Sequence, residues 1–511
     1  MTTKYMDVNE YPQIIEELRN SFKQNLTKPL NYRKKQLEQL YNLLDENEDE
    51  ICDALYKDLH KNKIESLLGE IDMIKQECLD SINQLEEWAS PEYVKVALAH
   101  KLNRCHIRKD PVGTVLIIGA WNYPISLVLT PLVGAIAAGC TAIIKPSELP
   151  MNSATILCTL LPKYLDQRSY RCINGGSKEM TELLTHKFNH IFFTGSGVVG
   201  KIIMSAASKH LTPVTLELGG KSPAILDDNI NITVTAKRLI WSKSFNVGQT
   251  CIAPDYILCT KKIQEALLLE FPKVIESQFG KDIQNSSDYA RIINQSHFDR
   301  LAKLLDQTKG NVVIGGKADR DNLFIDPTIV ANVPKDDKLM EDEIFGPILP
   351  IVVVESIDEA IEYINERDIP LSLYPFSNNN DTIKHILNNT RSGGVTVNDC
   401  FIHCTVPNLP FGGTGASGIG AYHGRKSFET FTHERSVLTS PFLTEKLLEG
   451  RYAPYKESNY KLLNWLLFSK PKFINKRNGK ENGRIKNIFK VLCVIFFAYT
   501  VKNRIFVRKI K

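Results

Sequence analysis

The chain has 511 residues, of which 43% are hydrophobic and 24% charged, and its formal net charge at pH 7 is +5. This composition excludes a chain that is disordered throughout, and the length exceeds what one hydrophobic core fills, so two or more domains are expected. The 11 cysteines form no Cys-x-x-Cys pair, which argues against a disulfide framework and favours a reducing compartment. The run from Cys400 to Cys404 does not assemble four metal ligands, so no metal site is predicted.

The N-terminal part of the chain predicts helices. Its first ten residues lack the apolar segment of a signal peptide, so a secreted protein is not expected. From about Tyr11 to Glu87 the sequence is charged and helical in period. The apolar positions that fall on one side of these helices are Leu40, Leu43, Leu44, Ile51, Leu55 and Leu59.

From Thr114 onward the pattern changes to short apolar runs that alternate with helical stretches. Four such runs stand out, at residues 115–118, 142–144, 191–193 and 214–216. This alternation is typical of a parallel sheet covered by helices, and it predicts an α/β fold.

A glycine-rich turn follows the third apolar run. It reads Gly195, Ser196, Gly197, Val198, Val199, Gly200, and it opens a helical stretch. The spacing fits the G-x-G-x-x-G pattern, in which a helix N-terminus binds the phosphates of a dinucleotide. A tight turn without any ligand would also select glycine, so the pattern alone leaves both interpretations open.

Cys251 and Glu217 are the candidates for covalent chemistry. Gly248 and Pro254 interrupt regular structure on either side of Cys251, which predicts a thiol displayed on a loop. A thiol can attack a carbonyl carbon, and a carboxylate can then activate the water that removes the acyl group. The alternatives are a buried cysteine that packs as a small hydrophobe and a glutamate that belongs to a turn or a helix N-terminus.

The C-terminal tail carries most of the positive charge. Residues 470–511 contain 13 Lys and Arg and one acid, Glu481, whereas the remainder of the chain is mildly acidic. Residues 491–501 between these charges are apolar on every helical face, which favours a membrane surface over nucleic acid. The segment is shorter than the roughly 30 Å hydrocarbon core, but flanking basic side chains can reach the headgroups. The tail therefore predicts a membrane anchor, with a buried helix as the alternative.

A series of motifs resembles the aldehyde dehydrogenase superfamily. Besides the segments around Glu217 and Cys251 and the glycine-rich turn, they are, in chain order, 111–113, 120–124, 145–148, 343–347 and 410–413. The resemblance covers roughly residues 1–450. Residues 433–436, beyond 422–425, are similar to the class 3 branch, which contains the fatty aldehyde dehydrogenases.

The resemblance implies a role for each site residue. Cys251 would be the nucleophile and Glu217 the general base, and the Asn122 amide with the backbone N–H of Cys251 would meet the oxyanion. The cofactor would lie against Lys145 and the 195–200 turn, with its nicotinamide ribose held by the two residues Glu343 and Phe345. NAD is expected, with NADP possible, because Glu148 near Lys145 would repel a 2′-phosphate.

The expected architecture has a Rossmann-like nucleotide-binding domain, an α/β catalytic domain, a small β-arm for oligomerisation and a C-terminal hydrophobic tail. The predicted boundaries are 1–93 with 108–215 for the NAD-binding domain, 216–425 for the catalytic domain, 94–107 with 426–445 for the arm, 446–484 for a gating segment and basic linker, and 485–511 for the membrane anchor.

The expected function is oxidation of medium- to long-chain fatty aldehydes by a homodimer that does not bind nucleic acid. Aromatic aldehydes are the alternative substrates. Transfer of the acyl group to coenzyme A and a non-catalytic membrane scaffold are alternatives of other classes. The catalytic body is expected in the cytosol, attached to the mitochondrial outer membrane, the endoplasmic reticulum or lipid droplets.

Overall fold

The structure is a computed structural model that describes residues 5–97, 100–442 and 445–468. The chain divides into two compact units, Met1–Trp88 with Pro111–Thr432 and Ala89–Asp110 with His433–Lys511. The predicted anchor at 485–511 and the basic linker before it lie outside the described residues.

The first unit begins with the predicted helices. They are α1 (Tyr11–Lys23), α2 (Leu30–Glu46), α3 (Glu48–Leu59), α4 (Lys63–Ser66) and α5 (Asp72–Ala89), with a π-helical turn at Leu67–Ile71 before α5. All six apolar positions named from the periodicity are fully buried, which confirms the predicted buried side of these helices.

A six-stranded sheet follows, and all but one of its pairings are parallel. The strands are β3 (Thr114–Ile118), β4 (Thr141–Lys145), β5 (Tyr170–Cys172), β6 (His190–Thr194), β7 (Val214–Glu217) and β17 (Gly418–Ile419), in the order β17-β7-β6-β3-β4-β5. Only β17 runs antiparallel to its neighbour, β7. The connecting helices are α6 (Ser126–Ala138), α7 (Met151–Tyr164), α8 (Ser177–Leu183) and α9 (Gly197–Ser208). The four predicted apolar runs all lie in these strands.

A seven-stranded sheet forms the rest of the first unit. Its strands are β10 (Asn311–Ile314), β13 (Thr328–Ala331), β14 (Ile348–Val353), β9 (Tyr256–Cys259), β8 (Pro223–Leu226), β15 (Ser372–Phe376) and β16 (Gly394–Val395), paired in that order. The edge strand β10 is antiparallel and the other pairs are parallel. The helices are α10 (Ile232–Ser244), α11 (Lys261–Phe279), α12 (Gln295–Gln307), α13 (Ile357–Asn365), α14 (Asn380–Asn389) and α15 (Arg425–Thr430); β11 (Ala318–Asp319) and β12 (Phe324–Ile325) form a separate two-stranded sheet. The two parallel sheets with their helices confirm the predicted α/β fold class.

The second unit contains a three-stranded sheet of β1 (Glu92–Tyr93), β2 (Arg104–Pro111) and β18 (Thr432–Thr439), in the order β1-β2-β18. Lys109 of β2 pairs with Glu434 of β18. The two segments predicted as an oligomerisation arm, 94–107 and 426–445, contribute strands to this sheet. Helix α15, most of which falls in the second predicted segment, lies instead in the first unit. Two helices follow, α16 (Glu445–Leu448) and α17 (Glu457–Leu467).

Within the described part of the chain, no helix combines the length and apolar character that a membrane crossing requires. Helix α17 is formed by the apolar part of the predicted gating segment, 446–484. Its Leu466 is buried, whereas Leu462 and Trp465 are exposed.

Candidate active site

A cavity of about 870 Å³ lies at the carboxyl ends of the strands in the six-stranded sheet. Strands β3 and β6 are neighbours there, although β4 and β5 come between them in the chain, so the strand order changes direction at this point. Ligands of open α/β sheets bind at such switch points. The residues of the predicted site that line the cavity are Asn122, Lys145, Glu148, Gly195, Ser196, Val199, Glu217, Cys251, Glu343 and Phe345.

The glycine-rich turn connects β6 to α9 as predicted. Gly195 and Ser196 face the cavity, and the Ser196 hydroxyl accepts a hydrogen bond from the backbone N–H of Val199 at the start of α9. The remaining members Gly197, Val198 and Gly200 do not line the cavity. A side chain at Gly200 would lie 2.8 Å from Leu218, so this glycine allows α9 to pack closely on the sheet.

Lys145 and Glu148 form an ion pair at the end of β4. The Lys145 ammonium lies 3.1 Å from the Glu148 carboxylate. Lys145 is buried, while the Glu148 side chain is about one third exposed. The pair presents a cation and a carboxylate to the same end of the cavity, as the sequence predicts.

Glu217 is a buried carboxylate at the last position of β7. Neither of its oxygens has a hydrogen-bond partner among the residues that the structure describes. Burial raises the pKa of the Glu217 carboxyl well above its ordinary value. A group that is left unpaired in a cavity, with a strongly shifted pKa, is a candidate for proton transfer.

Cys251 lies on a loop and is partly exposed, as the flanking glycine and proline predict. The backbone before it is unusual, because Asn246 and Val247 both have left-handed φ angles, 49° and 47°. This conformation is rare for a β-branched residue such as valine. The Gln249 side chain stabilises the loop by donating to the carbonyl of Arg291 at 3.0 Å and accepting from the backbone N–H of Ile293 at 3.0 Å.

Burial raises the pKa of the Cys251 thiol above its ordinary value. The negative charges of Glu343 and Glu217 and the thiol of Cys404 act in the same direction. The thiol is therefore the favoured form of Cys251 at neutral pH.

Asn122 projects from the loop after β3 toward the nucleophile loop. Its side-chain amide donates a hydrogen bond to the carbonyl of Gln249 at 3.0 Å. Its own backbone carbonyl accepts from the Asn246 amide at 2.8 Å. An asparagine amide has two N–H groups, so one remains available to another acceptor, and both Asn122 and Cys251 line the cavity.

Glu343 lies directly against the glycines that follow Glu217. A side chain at Gly219 would come within 2.0 Å of a Glu343 carboxylate oxygen, so only glycine allows this approach. Burial, with the charge of Asp255, raises the pKa of Glu343 to about 8, although a hydrogen bond from the Gly220 backbone opposes the shift. Phe345 has a φ of 51° and packs edge to face against Trp121, at 5.3 Å between ring centres.

Sequence reasoning missed much of the aromatic surface beside Cys251. Phe245 contacts Tyr123, Trp241 and Phe401, with ring centres 6.5, 5.7 and 5.8 Å away. The Tyr123 hydroxyl bonds to the hydroxyl of Thr250, next to the nucleophile, at 2.8 Å. No local sequence signal marks Phe401 as part of this surface, since it lies far along the chain.

We expect iodoacetamide to alkylate Cys251 of the cofactor-free protein slowly at neutral pH. Because the thiol pKa is raised, the thiolate is the minor form and its share grows as the pH rises, so the rate should still increase above about pH 9. Timed mass spectrometry of the Cys251 peptide measures this rate. A small free thiol, with a pKa of about 8.5, is the reference. A rate that levels off below about pH 8 would contradict the raised pKa.

The comparisons with known proteins agree on one family. The model of the aldehyde dehydrogenase family matches residues 1–437. The chain is 45% identical over 491 residues to aldehyde dehydrogenase family 3 member A2 of Rattus norvegicus, which covers 96% of this chain and 99% of that protein. It is 45% identical over 447 residues to the dimeric NADP-preferring aldehyde dehydrogenase of Canis lupus familiaris. That alignment covers 88% of this chain and 98% of the Canis lupus familiaris protein.

A solved structure of an aldehyde dehydrogenase has a similar fold. The substrate-bound state of Staphylococcus aureus AldH is similar with a TM-score of 0.86 and 42% sequence identity, over 90% of this chain and 99% of that one. The extent of these matches and the arrangement of the cavity lead to one conclusion: the chain belongs to the aldehyde dehydrogenase family.

Proposed function

We propose that this protein oxidises medium- to long-chain fatty aldehydes to carboxylic acids with NAD, and that NADP can replace NAD. The observation that carries the proposal is that Cys251 and the unpaired, buried Glu217 line one cavity with the predicted dinucleotide turn. A nucleophile, a base and a phosphate-binding turn in one cavity suit oxidation through an acyl-enzyme.

The residues of the cavity fit a nicotinamide dinucleotide. The N-terminus of α9 suits the pyrophosphate, and the Lys145–Glu148 pair suits the adenosine ribose. Glu343 and Phe345 would hold the nicotinamide ribose near Cys251. A bound dinucleotide would accept the hydride of the aldehyde carbon, which no side chain can do. Glu148 favours NAD because its carboxylate would repel a 2′-phosphate, and its pairing with Lys145 moderates that repulsion.

The covalent step belongs to Cys251. Its sulfur gives up its proton to solvent and attacks the aldehyde carbon, and the oxyanion of the resulting thiohemiacetal receives hydrogen bonds from the second N–H of the Asn122 amide and from the Cys251 backbone N–H. Departure of the hydride from this carbon to a bound dinucleotide would then leave the thioester on Cys251. The two loops that carry these donors are already hydrogen-bonded to each other, so little reorganisation is needed when the charge develops.

Glu217 then acts as the general base. It removes a proton from a water molecule, and the resulting hydroxide attacks the thioester carbon. The bond from that carbon to the Cys251 sulfur then breaks, which releases the carboxylic acid, and the proton held by Glu217 restores the Cys251 thiol. The raised pKa of Glu217 makes its carboxylate a stronger base than an exposed glutamate. Because no described residue binds its oxygens, both are available to water.

The aromatic surface beside Cys251 supports an apolar aldehyde. Phe401 packs against Phe245 and Trp241 near the nucleophile loop, and Trp241 is 40% exposed. Burial of an alkyl chain against such rings contributes about 0.8 kcal/mol per CH₂ group. Aromatic aldehydes are the second candidate, because the same rings can stack on a substrate ring.

Replacing Cys251 with alanine should abolish aldehyde oxidation, because no other group can form the thioester. Reduction of NAD, followed by absorbance with a medium-chain aldehyde, measures the loss, and fluorescence titration should show that the variant still binds NAD. Cys52→Ala, which removes a buried thiol from α3, is the matched control and should remain active. Appreciable turnover by the Cys251 variant would refute the nucleophile.

The Glu217→Gln variant should form the thioester but hydrolyse it slowly. We expect a burst of reduced cofactor close to the enzyme concentration, followed by a steady rate reduced by about 10²-fold or more. Stopped-flow absorbance separates the two phases. Glu77→Gln, at another buried carboxylate whose pKa burial raises to about 7, is the control and should show no burst. If Glu217→Gln shows full steady turnover, the base lies elsewhere.

The same assays separate the rival classes. An acyl-transferring enzyme would require an added thiol such as coenzyme A for product formation, whereas hydrolysis by Glu217 requires none. A non-catalytic scaffold would reduce no NAD with any aldehyde.

The C-terminal tail should attach the protein to a membrane and leave the catalytic body in the cytosol. Thirteen basic residues surround the apolar run at 491–501, which suits anionic headgroups. We expect full-length protein in the membrane fraction and a variant without residues 485–511 in the soluble fraction, still able to oxidise aldehydes. Fractionation of cells with tagged proteins measures this and distinguishes mitochondrial, reticular and lipid-droplet targets. Soluble full-length protein would contradict the anchor.

The oligomer proposed is a homodimer in which the three-stranded sheet of β1, β2 and β18 pairs between subunits. The support is the position of that small sheet at the predicted arm segments, with β1 and β18 as its outer strands.

A further inference from the structure

A fully buried ion pair lies behind the proposed oxyanion site. The ammonium of Lys61, just after α3, is 2.6 Å from the carboxylate of Glu70, and both side chains are 0% exposed. Glu70 belongs to the π-helical turn Leu67–Ile71. Such turns are rare and occur often at functional sites. The proposed mechanism does not use either residue.

The pair holds both ends of the segment that carries Asn122. Lys61 donates a second hydrogen bond to the backbone carbonyl of Asn122 at 2.9 Å, and its ammonium lies 4.0 Å from the ring centre of Tyr123. The other Glu70 oxygen accepts from the backbone N–H groups of Ile125 and Ser126, at 2.8 and 3.2 Å. A carboxylate at the start of α6 is also favoured by the helix dipole.

The same segment is bonded to the nucleophile loop. The Asn122 amide reaches the carbonyl of Gln249, and the Tyr123 hydroxyl reaches Thr250. A continuous set of hydrogen bonds therefore runs from Glu70 through Lys61 and Asn122 to the residues immediately before Cys251.

We infer that Lys61 and Glu70 are positioning residues that orient the Asn122 amide toward the oxyanion formed at Cys251. The inference rests on the proposed function. Burying two charges costs free energy that their attraction does not always return, so a packed apolar pair could stabilise the fold as well. The ion pair provides directed bonds at two points of one short segment, and oxyanion donors must be held within about 0.5 Å of their working position.

The test replaces both charges together, as Lys61→Met with Glu70→Gln, so that no unpaired charge stays buried. We expect kcat for aldehyde oxidation to fall by about 10²-fold, the range for a misplaced oxyanion donor, with NAD binding unchanged. Alkylation of Cys251 by iodoacetamide should stay within about threefold of the parent rate, since that reaction forms no oxyanion.

A double-mutant cycle with Asn122→Ala distinguishes positioning from a general structural effect. If the pair acts through Asn122, removing the pair in the Asn122→Ala background should lower kcat by less than about threefold, because the interaction is already lost. An equal loss in both backgrounds, or an unchanged kcat in the parent background, would overturn the inference.

Arg33→Met is the matched control. Arg33 is a buried cation that donates to the carbonyl of Ala137 at the other end of α6, away from Cys251. Its loss should lower the midpoint of thermal unfolding without changing kcat.

If the paired substitution does not yield folded protein, Lys61→Arg supports the same cycle, because it keeps the charge pair with Glu70 while its planar guanidinium has a different donor geometry at the Asn122 carbonyl. A parent enzyme that oxidises no aldehyde would refute the proposed function itself. If the parent enzyme is active but the effects of the paired substitution and of Asn122→Ala on kcat are additive, only the positioning role is refuted.

Discussion

The parallel pairing of β6 with β7 is the constraint on which the site depends. It places Thr194 opposite Glu217, and the backbone N–H of Gly195 donates to the Glu217 carbonyl at 3.0 Å. The glycine-rich turn and Glu217 therefore lie at adjacent strand ends and share a hydrogen bond. Because strand ends in a buried sheet move little, the distance between this turn and Glu217 is set by the sheet and not by a flexible loop.

Charge burial gives this cavity its chemical character. Burial raises the pKa of Glu217, Glu343 and Cys251, and no described residue bonds to the Glu217 oxygens. Such groups oppose stability, and they occur where function requires them. The supporting groups behave differently, since Lys61 and Glu70 are paired with each other and hydrogen-bonded to the backbone. Glu217 is thus left without a described partner beside a frame of paired groups.

The strands of the six-stranded sheet and the loop position of Cys251 could be predicted because their signals are local. Apolar runs mark the strands of the six-stranded sheet, and glycine and proline mark the loop around Cys251. The Lys61–Glu70 pair could not be predicted, because both residues belong to a charged helical region, and charged residues in such a region are usually exposed to solvent. The aromatic surface was found only in part, since Phe401 joins Phe245 and Trp241 through packing between distant segments.

The sequence by itself determined the α/β class and the position of the turn at 195–200, and it led to the proposal of Cys251 as nucleophile and Glu217 as base, because each depends on a short stretch of chain whose backbone or chemistry suits few residue types. Only the tertiary structure decided which groups meet. The approach of Glu343 to Gly219, the bond from Asn122 to Gln249 and the burial of Lys61 against Glu70 depend on strand order and helix packing. Periodicity shows that a face is buried but carries no information about what it is buried against.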